Sequence, residues 1–420
     1  MAEGRRARGS GVPGRCPLLV PRLAPRLGLR FHARLVPLVV LLLVGLVGCG
    51  GRTGTDSARA DVQRVLDRRA AALLGHDASA YAATGAAAGY AAVRAVPLAG
   101  WAYRVTALQR SGDSATADAE LSYRVDGYDK APVTVGRTLR LARDGAGRWS
   151  VTSEKPAAKA GEQLWDQGVV RVVRGAHSLV LGVGQSDARL RSFAELADGA
   201  VPAVSAAWGT DWAGHVVVLV PKSLEGMAGL LGSPASAYRG IAAVTTGETG
   251  GGAKTPADRV VVNPDAYDLL GQVGRQVVLT HETTHVATRA HTNAATPLWL
   301  SEGFADWVGY RETGRTPAEA APELQQAVRD GNMPEALPAD GDFGFYGDAN
   351  RLAQAYEGGW LACRMIAERW GEVKLDAFYR AVGEHRARAG AVEGALRSVL
   401  GTSSEQFTAD WRAYLKAQLG

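Results

Sequence analysis

Apolar and polar residues alternate with period two over 101–108, 114–123, 133–142 and 149–153, the pattern of strands with one buried face. The turn Arg143-Asp144-Gly145-Ala146-Gly147 separates the last two. Ahead of them, Val62, Val65, Leu66 and Arg69 recur at helical spacing and predict an amphipathic helix over 61–72. Helix and antiparallel meander make one unit, 61–153. The Pro-, Ala- and Lys-rich stretch 154–161 reads as a linker, and 162–420 as a second unit. That unit opens with strand-like 169–173 and 178–183. A helix over 186–208 follows, with Ser186 and Asp187 offering N-cap oxygens, and then the apolar strands 215–220 and 259–262. From Gly271 onward the spacing is helical nearly throughout, down to 407–418. A small sheet followed by a helical half gives an α+β class, and the chain is long enough for two cores.

The amino-terminal segment changes the picture of charge and compartment. Residues 1–34 carry eight arginines and one acid, and 35–47 is almost wholly apolar, too short to span a bilayer but suited to a signal-peptide core. It ends in Leu46-Val47-Gly48-Cys49, which looks like a bacterial lipobox. The expectation is a lipoprotein signal peptide over 1–48, lipidation of Cys49, a polar tether over 49–60, and a chain held by lipid on the extracytoplasmic face of the cell membrane. The formal net charge is +5, of which the leader supplies +7, so the remainder carries −2 and gives no basis for nucleic-acid binding. Of three cysteines, Cys16 lies in the leader and Cys49 would be lipidated, which leaves Cys363 alone and no intramolecular disulfide.

The candidate chemistry is concentrated in His281-Glu282-Thr283-Thr284-His285, with Glu302 seventeen residues further on. Residues i and i+4 share a helical face, so His281 and His285 can offer two imidazoles to one metal ion. Glu302, on a second helix packed across the first, would be the third ligand. Two histidines and a carboxylate form a catalytic Zn2+ set with one position left open. Glu282 stands where its carboxylate can reach a water at that position and act as general base.

HExxH followed by a separate helix with Glu-x-x-x-Asp resembles the gluzincins, the thermolysin-like and M1-aminopeptidase-like metallopeptidases. Here the second element reads Glu302-Gly303-Phe304-Ala305-Asp306, and Trp299-Leu300-Ser301-Glu302-Gly303-Phe304-Ala305 looks closest to the peptidase MA-like group. The resemblance covers roughly 160–420. It implies a gluzincin zinc metallopeptidase domain over 162–420, with Asp306 orienting a zinc-binding histidine and a protein or peptide substrate. Ala355-Tyr356-Glu357-Gly358 is similar to the Tyr-Glu-x-Gly start of a later helix in M1 enzymes, which implies Tyr356 as the oxyanion donor, with Tyr346 a competitor. Arg289 and Ala290 stand where the metzincin pattern needs another spacing before His291, which excludes that family. Residues 239–247 lack the Gly-x-Met-Glu-Asn segment with which M1 enzymes hold a substrate amino terminus, so an endopeptidase is expected rather than an exopeptidase. The run from Gly247 to Ala253 reads as a loop, and His177 and His215 as structural.

Helices before a long meander resemble an NTF2-like (SnoaL-like) cone, which implies a spacing, docking or ligand-binding module. The second functional reading is therefore a non-enzymatic cell-envelope lipoprotein, with structural zinc and a partner-binding cone. Glu282 argues against it, because a structural site has no use for a general base.

Overall fold

A computed structural model describes residues 52–247, 255–344 and 348–420. The predicted leader 1–48, Cys49, residues 248–253 of the Gly-rich run and Tyr346 lie outside the described residues. No helix among the described residues is long and apolar enough to cross a membrane.

Three helices, α1 (Arg52–Leu74), α2 (Ala78–Ala82) and α3 (Ala88–Val93), precede β1 (Leu98–Ser111), β2 (Ser114–Val125), β3 (Val133–Arg143) and β4 (Trp149–Pro156). The strands form an antiparallel meander in the order β1-β2-β3-β4. Their alternation puts Trp101, Tyr103, Val105, Leu121, Leu139 and Val151 inward against Val62, Val65 and Leu66 of α1. Arg69, which shares that buried face of α1, donates to Thr84 Oγ1 at 3.1 Å and Ala86 O at 2.8 Å. Its guanidinium also lies 3.8 Å from the centroid of the Tyr81 ring.

Two predicted boundaries shift. α1 starts at Arg52, so most of the stretch read as tether is helical. β4 runs on to Pro156 and takes Glu154 from the stretch read as linker, because buried Arg137 draws its carboxylate in at 3.1 Å.

The second sheet has β5 (Val170–Arg174), β6 (Ser178–Val183), β7 (Val216–Val220), β8 (Ala243–Thr246) and β9 (Arg259–Val262), in the order β5-β6-β7-β9-β8. Its centre, β6-β7-β9, is parallel, and antiparallel β5 and β8 close the two sides. α4 (Asp187–Trp208) makes the crossover from β6 to β7, capped as predicted by Ser186, which accepts from the Arg189 N–H. α5 (Leu224–Leu231) and α6 (Pro264–Tyr267) flank β8 and β9. The helical half follows: α7 (Gln272–Thr288), α8 (Leu298–Tyr310), α9 (Pro317–Ala320), α10 (Pro322–Arg329), α11 (Ala349–Trp370), α12 (Glu372–Gly383), α13 (Ala391–Ala395) and α14 (Ser404–Leu419).

The strands of a parallel sheet are covered on both faces. Val180, Val218 and Val260 pack on one side with Val278 and Leu279 of α7. Leu179, Leu181, Val183 and Val217 face the other way and extend the core of the first sheet. The two units therefore share one hydrophobic cluster. Ion pairs lock the contact: Arg137 holds both oxygens of Asp166 at 2.7–2.8 Å, and Arg259 Nη2 lies 2.8 Å from each oxygen of Asp129. Breaking such a buried pair from one side costs about 3–5 kcal/mol. On α7, Val277 belongs to the core of the helical half while Val278 and Leu279 belong to that of the sheet. The histidine helix thus sits at the junction of the sheet and the helical half.

Candidate metal centre

α7 is buried on nearly every side, and α8 is buried from Trp299 through Tyr310. Polar groups on such helices need partners from each other. Gly303 lets α8 come close enough to α11: a Cβ there would collide with the Gly359 carbonyl. The residue before it, Glu302, then faces the histidines of α7.

His281 Nε2 lies 2.9 Å from His285 Nε2 and 3.2 Å from Glu302 Oε2, and His285 Nε2 lies 3.5 Å from the same oxygen. One ligand atom from each of the three residues falls within 4.8 Å of the others. On the far side of the ring, His281 Nδ1 donates to Asp306 Oδ1 at 2.7 Å, which directs the Nε2 lone pair into the cluster. Neither oxygen of Glu302 has a hydrogen-bond partner among the described residues, although both are buried.

The electrostatics follow from crowding charge in a dry place. Burial opposes a charge on His281, but Asp306 and Glu302 together outweigh it and lift its pKa to about 10, so a metal taken up at Nε2 would displace a proton there. Burial would also raise Glu302, yet His285 and His281 hold its carboxyl down at about 2. Two imidazole nitrogens and a carboxylate oxygen converging without intervening donors make a set suited to a divalent cation of intermediate softness. Zinc fits by donor type, and the three residues leave room in a four-coordinate shell.

Glu282 points elsewhere. Its Oε2 lies 2.5 Å from the Thr245 hydroxyl, which is also 3.0 Å from the Glu282 backbone oxygen. Burial pushes its carboxyl pKa up, against the pull of His281 and His285. Thr245 belongs to β8, at the edge of the second sheet, and sequence reading missed both strand and residue. The one signal for it in the sequence is its place within 239–247, upstream of HExxH.

Tyr356 lies on α11, buried, with its ring edge-on to Phe343 at 5.1 Å between centroids. It stands one turn before Gly359, the residue that abuts Trp299 and Gly303 of α8. The neighbouring Glu357 accepts from the Leu324 N–H at 2.6 Å and caps α10. His291 is drawn away from the cluster by Arg380 Nη1 at 2.9 Å, in keeping with its spacing.

No protein-family model matches this chain, and no curated protein matches it. Among solved structures, native yeast LTA4 hydrolase is similar over 67% of this chain and 44% of its own, at 14% identity and a TM-score of 0.35. A mutant M1 zinc metallopeptidase from Deinococcus radiodurans, bound to a Tyr-Ser-Ala substrate, is similar over 77% of this chain and 62% of its own, at 13% identity and a TM-score of 0.32. The chain spans less than two thirds of either protein. With such low TM-scores, the functional reading rests on the side-chain geometry of the cluster.

Proposed function

We propose that the chain is a zinc-dependent peptidase of gluzincin type, with His281, His285 and Glu302 as metal ligands. One observation carries the reading: three bare ligand atoms converge in a buried site where Glu302 has no other partner. When bound, the metal supplies Lewis acidity, polarising a scissile carbonyl and lowering the pKa of a water to about 7. With zinc held by these three residues, Glu282 would serve as the base toward a water and as the acid toward the departing amine. Thr245 holds the Glu282 carboxylate in place without neutralising it. Asp306 fixes the His281 tautomer and makes its Nε2 a better donor. Tyr356, from the helix lying against α8, is the proposed donor to the oxyanion, a role commonly worth 10²–10³ in rate.

β8 supports the same reading. Among the described residues it pairs only with β9, and its Thr245 touches the proposed base. An extended peptide adding alongside β8 would run past Glu282. The non-enzymatic alternative has no use for a base at this position. The placement outside the cytoplasm, lipid-anchored through Cys49, and the NTF2-like character of the amino-terminal unit are further parts of the proposal. The first rests on sequence alone. The second is supported by three helices leading into a four-stranded meander.

The test is metal analysis of the soluble chain beside a peptide-library digest. We expect one zinc per chain and cleavage that a chelator stops and added zinc restores. A chain that takes up no metal when zinc is supplied would sink the reading. Asp306→Asn should keep the fold but weaken zinc binding by roughly 10–100-fold, as loss of a carboxylate behind a ligand histidine does. Competition with a chromogenic chelator measures it.

A further inference from the structure

Asp306 uses only one of its oxygens on His281. Oδ1 takes the Nδ1 proton at 2.7 Å, while Oδ2 meets no donor among the described residues, although Asp306 is only 2% exposed. A carboxylate oxygen this deep and without a donor is costly to keep ionised. Four residues on, and so on the same face of α8, Tyr310 presents a second loose end. Its phenol oxygen has no hydrogen-bond partner among the described residues either. Neither oxygen is sealed off: a water molecule can reach both.

The two residues line one small cavity of about 20 Å³ behind the metal centre. A space of roughly 10–15 Å³ seats one water, which needs two to four polar partners. The cavity therefore has room for one. Asp306, Tyr310 and Glu357 offer the partners, and Ala320, Pro322 and Ala353 form apolar wall. Glu357 accepts from the backbone N–H groups of Glu323 at 3.4 Å and Leu324 at 2.6 Å, which leaves each of its oxygens a further lone pair. The Tyr310 ring is steadied by Trp360, with 5.2 Å between centroids. Burial, then Asp306 and Glu357, pushes the phenol pKa up, so Tyr310 keeps its proton and has it to give. Tyr310 and Pro322 also border a wide groove on the surface, so water can enter without crossing the metal centre.

We infer that one buried water bridges Asp306 Oδ2 to the Tyr310 hydroxyl, which makes Tyr310 a positioning residue for the metal centre. The inference rests on the reading of His281 as a zinc ligand. The phenol donates to the water and the water donates to Oδ2, a relay nearly as good as a direct bond. It steadies the charge on the carboxylate that fixes the His281 tautomer, and so strengthens Nε2 as a donor to the metal.

The test is zinc affinity of the full chain, by competition with a chromogenic chelator, in the parent, Tyr310→Phe, Asp306→Asn and the double variant. Tyr310→Phe removes one oxygen and leaves the ring against Trp360. We expect it to weaken zinc binding about three- to tenfold, the worth of one hydrogen bond. On the Asp306→Asn background the same change should cost less than about twofold, because the anion it acts through is gone. Parental affinity in Tyr310→Phe overturns the inference. So does an equal loss on both backgrounds, since the hydroxyl would then act through packing alone. A crystal structure of the parent is the second measurement. One water within about 3 Å of both oxygens supports the bridge, and a dry cavity overturns it. Failure of the parent to take up zinc overturns the peptidase reading and this role of Tyr310 together, whereas the other negative outcomes leave that reading standing.

Discussion

Replacing Glu282 by Gln is expected to lower peptide turnover by roughly 10²–10⁴-fold while leaving one zinc per chain. The separation of the two effects follows from geometry. His281 and His285 turn their Nε2 atoms toward Glu302, whereas Glu282 reaches toward Thr245 on β8. Glutamine has the same shape and can still accept from the Thr245 hydroxyl, so the wall of the site stands. What it cannot do is accept a proton from water. Single-turnover rates with matched metal content measure the effect. Turnover that survives at the parent rate would remove Glu282 from the chemistry.

Glu302→Ala is the complementary case. Both of its oxygens are buried and unpartnered, and His285 and His281 keep the group ionised by holding its pKa at about 2. Without it, two imidazoles remain, and two neutral nitrogens hold zinc far less well than a set completed by an anion. Loss of an outer-shell carboxylate costs 10–100-fold in affinity, so loss of this direct ligand should cost more than about 100-fold. Mass spectrometry of metal content should then show the variant nearly zinc-free and inactive. A variant that keeps its zinc at parental affinity would move the third ligand elsewhere and undo the assignment.

The two variants divide the site by function. One removes proton transfer with the metal in place, and the other removes the metal with the base in place.

Much of this was legible in the amino-acid sequence wherever a short-range rule applies. The shared face of His281 and His285 follows from 3.6 residues per turn and needs no tertiary contact. The four alternating runs before residue 156 became β1 to β4, and Ser186 became the cap of α4, because pleat and cap act over two to four residues. That Asp306 would orient a zinc-binding histidine came only through a family resemblance; the structure puts it 2.7 Å from His281 Nδ1. β8 escaped because four residues, Ala243-Val244-Thr245-Thr246, are too few for a period to be counted.

By itself, then, the sequence determined the α+β order of elements, the two imidazoles on one face and a carboxylate beside them. These depend on local backbone geometry, which each residue carries with it. Tertiary structure decided which distant groups complete the site. Glu302 meets the histidines because Gly303 and Gly359 let two buried helices touch, and Thr245 meets Glu282 because β8 pairs with β9. Tertiary structure also gave the two units a shared hydrophobic cluster, since both faces of a parallel sheet must be covered. Such meetings depend on how faces pack across long stretches of chain, and no local spacing encodes them.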